Sequence, residues 1–339
     1  MAEWKACPGR GKARLLNRKV RMAAKKVLMT DQGPAPDYAV LEGRIVAFDD
    51  ARVHILTHTF NYGTGVFEGI RGYWNDRREE LFIVKLREHI ERLAANCRVL
   101  MLDPGHSVDE IMDLCLALVR KNALRQDIYL RPIVYCPALR VGPGMSDEHA
   151  LAIYNIPMGH YHDPGRAIDV MVSTWRRTDD NAIPARGKIN GAYVNSSLAI
   201  TEAHRAGLDD AILLNRDGHV SEGSVMNLFI VRGDVLVTPP VTANILEGIT
   251  RTEVMGLAVS ELGLGVVERD IDRTELYYAD EVFFCGTGAK ILGVGSIDRR
   301  PIGKGGVGPV TKKLQKLYDA IVHGEDERHE DWLTPVYGG

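Results

Sequence analysis

The strongest constraint on the fold lies between residues 210 and 240, where strand-like runs follow one another through tight turns. AILLN and HVSEG flank Asp217-Gly218, a hairpin turn signal. NLFIVRGDVLVTPP follows as a second hairpin. Hairpins demand antiparallel pairing. Near the start, YAVLEGRIVAF reads as a hairpin around Glu42-Gly43. Helical patterns stand between such pieces. REHIERLAANCRVL carries Ile90, Leu93, Ala94 and Cys97 at helical spacing. Ser107 and Glu110 form a capping-box signature before IMDLCLALVRKN. AYVNSSLAITEAHRAG ends at Gly207, GITRTEVMGLAVSELG opens at Gly248, and GPVTKKLQKLYDAIVHG reads as a closing amphipathic helix. Strands and helices therefore mix without strict βαβ alternation, which predicts α+β layering and not a doubly wound sheet.

Further strands are expected at LFIVKL, DIYLRPIVYC, HALAIYNIP, AIDVMVSTW and EVFFCGTGAKI, and VHILTHTF is expected to be strand or extended chain. RVGPGMSDEH reads as a loop and MGHYHDPGRA as a connection between domains. The expected division is a basic extension over 1–37, a small α/β domain over 38–156, an interdomain loop over 157–166 and a large domain over 167–339.

The first thirty residues hold nine Lys or Arg against one acid. Such a segment reads as a solvated tail or a start placed upstream of Met22 or Met29. An organelle presequence or a nucleic-acid-contacting arm are the sharper alternatives. Over the whole chain of 339 residues the net charge is −3, so nothing global points to nucleic acid or to a membrane surface. No apolar run is long enough for a transmembrane helix. Cys7, Cys97, Cys115, Cys136 and Cys285 are scattered, odd in number and form no CxxC pair. That pattern predicts a reducing, cytoplasmic setting without a disulfide frame or a metal site.

The chemistry concentrates between Arg186 and Phe229. Lys188 lies in GKINGAY among small, uncharged neighbours, which suits a desolvated and nucleophilic amine. Tyr193 follows five residues later. Glu222, within VSEGSVMNLF, has apolar flanks and is expected to be buried, so it needs a partner. A Schiff-base lysine, a phenol and a buried acid for a ring nitrogen are what pyridoxal phosphate chemistry requires. Gly248-Ile249-Thr250 opens a helix, and Gly286-Thr287-Gly288 is a nest-like turn, so both are candidate phosphate cradles. Arg92 is a cation suited to that phosphate. Taken singly, each of these has an ordinary structural alternative. The glycines of NYGTGVFEGIRGY serve turns or a close approach to ligand. Arg131, sharing a strand face with Tyr129, Ile133 and Tyr135, is an exposed edge residue or an anion binder.

The residues from Tyr38 to Val336 resemble the branched-chain amino acid aminotransferases, members of the class IV pyridoxal phosphate enzymes. The resemblance rests on HTFNYGTGVFEGIRGY, REHIERL, YLRP, GKINGAYVNSSLA, VSEGSVMNLF, LEGITR, CGTGAKI and GPVTKKLQ, in that order. It implies a two-domain fold like that of D-amino acid aminotransferase, with the cofactor between a smaller N-terminal and a larger C-terminal domain. It implies that Lys188 is catalytic and that Lys188, Arg92, Tyr193, Glu222, Ile249, Thr250 and Thr287 bind pyridoxal 5'-phosphate. Tyr62, Phe67, Tyr129, Arg131, Met158, Tyr161, Thr287 and Gly288 are implied to bind substrate, with Tyr62 at a homodimer interface. The expected reaction moves the amino group of L-leucine, L-isoleucine or L-valine to 2-oxoglutarate. The alternatives are a D-amino acid or (R)-amine transaminase, an aminodeoxychorismate lyase, and a non-catalytic phosphate-ligand binder on the same scaffold. Two departures bear on substrate choice: Met158 stands where many relatives have an aromatic, and RVGPGMSDEH differs from the usual loop.

Overall fold

The computed structural model describes residues 36–159 and 165–338. Most of the basic extension, Tyr161 and the middle of the interdomain loop lie outside those residues. The described chain opens with β1 (Tyr38–Leu41) and β2 (Arg44–Ala47). Glu42 and Gly43 both take positive φ, 52° and 72°, as a type I′ hairpin loop requires.

The run VHILTHTF is not a strand. It makes one isolated bridge, Thr57 to Leu139, and then forms the short helix α1 (His58–Tyr62). Local hydrogen bonds override its β-branched composition: Asn61 Nδ2 donates back to Thr57 O at 3.0 Å, and Gly63 closes the turn at φ 68°. Beyond it come β3 (Gly65–Phe67), β4 (Ile70–Asn75), β5 (Glu80–Val84), α2 (Leu86–Val99), α3 (Val108–Asn122), β6 (Ile128–Tyr135) and β7 (Ala150–Pro157). The Ser107–Glu110 capping box is formed at the start of α3. The sheet runs β5-β4-β6-β7-β1-β2, with β3 on β6. Its covered face buries Ile70, Leu81, Ile83, Leu130 and Val134 against Leu86, Ile90, Leu93 and Leu118 of the two helices. The alternating burial of β6 is what the period of two predicts.

The second sheet is built from β8 (Ile168–Arg176), β9 (Asp210–Leu214), β10 (Val220–Gly223), β11 (Asn227–Arg232), β12 (Val235–Thr238), β13 (Gly265–Glu268), β14 (Glu281–Gly286), β15 (Lys290–Ile297) and β16 (Arg300–Pro301). Its order is β10-β9-β8-β15-β14-β11-β12-β13, with β16 on β15. Most neighbours are antiparallel. The pairs β8/β9, β8/β15 and β12/β13 are parallel. Helix α4 (Tyr193–Arg205) bridges β8 and β9, and α5 (Ile249–Ser260) bridges β12 and β13. Helix α6 (Pro309–Val322) packs through Leu314, Tyr318 and Ile321 on Phe229, Phe283 and Leu257.

The chain then returns to the first sheet. β17 (Leu333–Pro335) pairs antiparallel with β5, so the C-terminus belongs structurally with the N-terminal half. Glu80 fastens it: its carboxylate accepts the N–H groups of Leu81, Val336, Tyr337 and Gly338 at 2.5–2.9 Å. Burial opposes the charge, but those donors hold the carboxyl below its ordinary value.

Candidate active site

The two sheets touch where the loop after β8 crosses β3. Phe67 N–H donates to Lys188 O at 3.0 Å, and Val66 bridges Ile189. Gly191 N–H donates to Gly63 O at 3.1 Å, and a Cβ on Gly63 would lie 2.7 Å from Gly191 Cα. That glycine therefore serves a close approach as well as a turn. Beside this crossing lies a cleft of about 820 Å³. Strands of both sheets and the N-terminus of α5 supply its walls.

Lys188 and Tyr193 face each other across one turn, with Lys188 Nζ 2.8 Å from Tyr193 Oη. The Phe67 ring packs on Tyr193, centroids 4.8 Å apart, and lies 5.2 Å from the Lys188 nitrogen. An amine so flanked is half-buried, with a phenol as its hydrogen-bond partner.

Glu222, on β10, is buried as the sequence predicts. Burial raises its carboxyl above the ordinary value, with Arg177 opposing. Arg177 Nη2 lies 2.6 Å from Oε1, Asn227 Nδ2 donates to Oε2 at 2.8 Å, and Leu246 N–H reaches both oxygens at 3.3 Å.

Arg92, from α2, enters the cleft locked on Glu68. Its Nε donates to Glu68 Oε1 at 2.7 Å and Nη2 to Oε2 at 2.8 Å, while Nη1 donates to Glu247 O at 2.8 Å. His89 Nδ1 contacts the same Oε2 at 2.9 Å. Glu68 is fully buried. Burial alone would raise its pKa, yet Arg92 and His89 hold it well below the usual carboxylate range. Burial pushes the His89 imidazole below its ordinary value, against the pull of Glu68.

Opposite Arg92 stand Gly248, Ile249 and Thr250, the N-terminus of α5, whose first N–H groups have no partner within the helix. Only glycine fits at 248: a Cβ there would lie 1.9 Å from Asn227 Oδ1. Gly286, Thr287 and Gly288 form the turn between β14 and β15 at the cleft edge.

The remaining wall is the exposed face of β6 with β7. Arg131 Nε donates to Tyr129 Oη at 3.2 Å, and Nη2 contacts the same oxygen. The Arg131 guanidinium lies 4.3 Å from the Phe67 ring centroid. β6 lies between β4 and β7, so Arg131 is not on a sheet edge. Gly69 leaves room for Tyr129, because a Cβ there would lie 2.3 Å from its hydroxyl. Tyr154, Ile156 and Met158 complete this side.

The cleft thus gathers Lys188, Arg92, Tyr193, Glu222, Ile249, Thr250, Thr287, Gly288, Phe67, Tyr129, Arg131 and Met158. It does not include Tyr62, which is partly exposed and accepts the Gly142 N–H at 2.8 Å. Tyr161 lies outside the described residues. Sequence reasoning missed Glu68, His89, Arg177 and Asn227. Glu68, His89 and Asn227 sat inside quoted motifs, but nothing local marks them as supports of Arg92 and Glu222. Among the described residues no group of three or more His, Cys, Asp or Glu could hold a metal ion, and no helix is long and apolar enough to cross a membrane.

Comparison with known proteins gives concordant results. The family model described as amino-transferase class IV matches residues 65–297. A probable branched-chain-amino-acid aminotransferase from Aquifex aeolicus is 47% identical over 302 residues, covering 89% of this chain and 97% of the relative. The crystal structure of a branched-chain aminotransferase from Thermoproteus uzoniensis with norvaline superposes with a TM-score of 0.84 at 40% identity, covering 89% of this chain and 100% of that one. The PLP-form of the branched-chain amino acid aminotransferase from Thermobaculum terrenum gives 0.84 at 39% identity, with 90% and 99% covered.

Proposed function

The chain belongs to the class IV aminotransferase family, and from that premise we propose that it is a pyridoxal phosphate-dependent branched-chain-amino-acid aminotransferase. It moves the amino group of leucine, isoleucine or valine to 2-oxoglutarate. The observation that carries this reading is the convergence of the Lys188–Tyr193 pair, buried Glu222, Arg92 facing a helix N-terminus, and the Tyr129–Arg131 pair on one cleft.

The residues fit the cofactor. Ser224 Oγ is buried on the cleft with no partner among the described residues. Arg92 keeps N–H groups beyond those given to Glu68 and Glu247, and it lines the same cleft as Gly248, Ile249 and Thr250 at the start of α5. When bound, pyridoxal phosphate supplies an aldehyde that accepts the amino group and a protonated ring that takes up electrons from the substrate α-carbon.

In this reading Lys188 would hold the cofactor covalently, and its amine is the group placed to carry the substrate α-proton. Tyr193 holds the Lys188 nitrogen and orients it. Glu222 accepts a hydrogen bond from the ring nitrogen, while Arg177 and Asn227 fix its direction. Arg92, Ile249, Thr250 and Thr287 hold the phosphate. Thr287 and Gly288 hold the substrate α-carboxylate. Phe67 and Met158 enclose the side chain. An apolar wall separates aliphatic chains by only about 1–3 kcal/mol per methylene, so all three branched donors are used. Arg131, held by Tyr129, lets the same pocket accept the side-chain carboxylate of 2-oxoglutarate.

The working assembly is a homodimer or a higher homo-oligomer, with Tyr62 at the contact. Around Tyr62 the surface exposes Ile55 (73%), Phe60 (70%), Leu139 (57%) and Val141 (85%), an apolar group that burial against a second copy would cover. Light scattering should give twice the 37.6 kDa chain mass or a higher multiple of it, and a monomer would contradict the assembly. Cys97, Cys115, Cys136 and Cys285 are buried free thiols, in keeping with a reducing, cytoplasmic setting. A donor panel of L-leucine, D-alanine and (R)-1-phenylethylamine with 2-oxoglutarate tests the activity. Leucine should be the fastest donor, and a faster D-alanine or amine reaction would favour another class IV activity.

A further inference from the structure

Arg71 is among the most deeply buried charged side chains of the chain, at 2% exposure, and it does not line the cleft. It lies on β4 directly opposite Tyr129 of β6. Among the described residues its ion-pair partner is Asp127, 3.8 Å away and beyond hydrogen-bond reach. The guanidinium instead takes two successive backbone carbonyls: Nη2 donates to Met158 O at 2.5 Å and Nη1 to Gly159 O at 3.0 Å. Behind it lies the Tyr73 ring, 5.1 Å from the guanidinium carbon. A buried cation is costly even with an ion pair as long as this one, so one that packing alone required would be better replaced by an apolar side chain.

The carbonyls it holds are special in the fold. The β6/β7 ladder ends at Ile128 opposite Pro157, so Met158 and Gly159 lie just beyond the last pairing. Asp127 O accepts the Met158 N–H at 3.0 Å. The Met158 residue is therefore held on both sides, its N–H by the Asp127 backbone and its carbonyl by Arg71. Met158 lines the cleft beside Tyr129, Tyr154 and Ile156. A methionine side chain is unbranched and adaptable, so where its wall stands depends on how firmly its backbone is held. Two N–H donors on separate nitrogens of one planar fork suit two successive carbonyls, which a lysine cannot match.

We propose that Arg71 is a positioning residue for substrate selection: by gripping Met158 O and Gly159 O it fixes the Met158 wall of the cleft and sets how side chains of different length are told apart. The inference rests on the aminotransferase reading and names a determinant of selectivity outside the cleft itself.

The test uses holoenzyme of the wild type, Arg71→Lys and Arg71→Met. Dissociation constants for 4-methylpentanoate and 3-methylbutanoate, which differ by one methylene, are followed through the cofactor absorbance. Kinetics with leucine and valine are measured in parallel. One methylene in an apolar pocket is worth about 10–200-fold. Arg71→Met should therefore shift the ratio of the two constants by about fivefold or more, with KM moving more than kcat. Arg71→Lys should fall between, and the affinity for pyridoxal phosphate itself should stay within about twofold, since no cofactor-holding residue is touched. Hydrogen exchange at the Met158 and Gly159 amides should quicken in both variants. An unchanged ratio in both, even with a lowered melting temperature, would overturn the proposal and leave Arg71 purely structural. If Arg71→Met does not fold, Arg71→Lys decides alone, its shifted or unshifted ratio supporting or overturning the role. A wild type that turns over neither leucine nor valine would defeat the proposed function, whereas the two acids and the exchange rates would still decide for Arg71.

Discussion

Glu68→Gln is the substitution whose effect can be worked out most fully. The carboxylate is fully buried and meets three nitrogens: Arg92 Nε at 2.7 Å, Arg92 Nη2 at 2.8 Å and His89 Nδ1 at 2.9 Å. Glutamine keeps one oxygen. Placed toward Arg92 Nε, it leaves an NH₂ group where Oε2 was, facing the Nη2 donor. His89 can change tautomer and accept from that NH₂; a guanidinium cannot. One charge-assisted hydrogen bond, worth about 1.5–3 kcal/mol, is lost outright. The Arg92 charge also loses its buried counter-ion, and breaking such a pair costs about 3–5 kcal/mol when nothing replaces the partner. The retained oxygen and the water-filled cleft beside Arg92 offset part of this, so a net loss of about 3 kcal/mol is expected. At roughly 2 °C per kcal/mol for a chain of this size, the melting temperature should fall by about 6 °C. Arg92 also loses its fixed direction, so pyridoxal phosphate should bind about tenfold more weakly, read by absorbance titration of the apo protein. A variant that melts within about 1 °C of wild type and binds the cofactor equally well would refute the reasoning.

Other outcomes follow from the same geometry. Arg131→Ala removes the guanidinium held by Tyr129 and should raise KM for 2-oxoglutarate at least about tenfold while changing 4-methyl-2-oxopentanoate by less than about threefold; equal losses would contradict the assigned role. Glu80 has a folded-state pKa below its ordinary value, so its contribution is fully present above the unfolded carboxylate value, about 4.3, and is lost as pH falls below it toward the folded value. Glu80→Gln should therefore lower stability at pH 7, with the difference from wild type shrinking as urea midpoints are taken from about pH 5 toward pH 3. A difference that stays constant over that range would remove the carboxylate's charge from the account.

Legibility in the sequence tracked how local each determinant is. The hairpins at Glu42-Gly43 and Asp217-Gly218 and the capping box at Ser107 depend on neighbours within a few residues, and each formed where its residues predict. Residues 58–62 failed for the converse reason: side-chain bonds from Asn61 and the cap at Gly63 beat the β-rich run before them. The return of β17 to β5 had no local signal, because its anchor, Glu80, lies in the other half of the chain. At the site, Lys188, Tyr193 and Glu222 were readable as residue types suited to one chemistry. Their supports were not. Glu68 lay within a run read for its glycines, and nothing in the sequence around Arg177 marks it. What singles them out is a partner distant in sequence and a burial that only the fold creates. Arg71 belongs to the same class, since nothing around it in the chain points to the carbonyls of Met158 and Gly159.

The most direct test of the central claim is to reduce the holo protein with sodium borohydride, digest it and map the label by mass spectrometry. The pyridoxyl group should be found on Lys188, whose nitrogen lies 2.8 Å from Tyr193 Oη in the cleft. Lys188→Ala should then take up no label and show no transamination. A label on any other lysine, or unimpaired turnover in Lys188→Ala, would contradict the account.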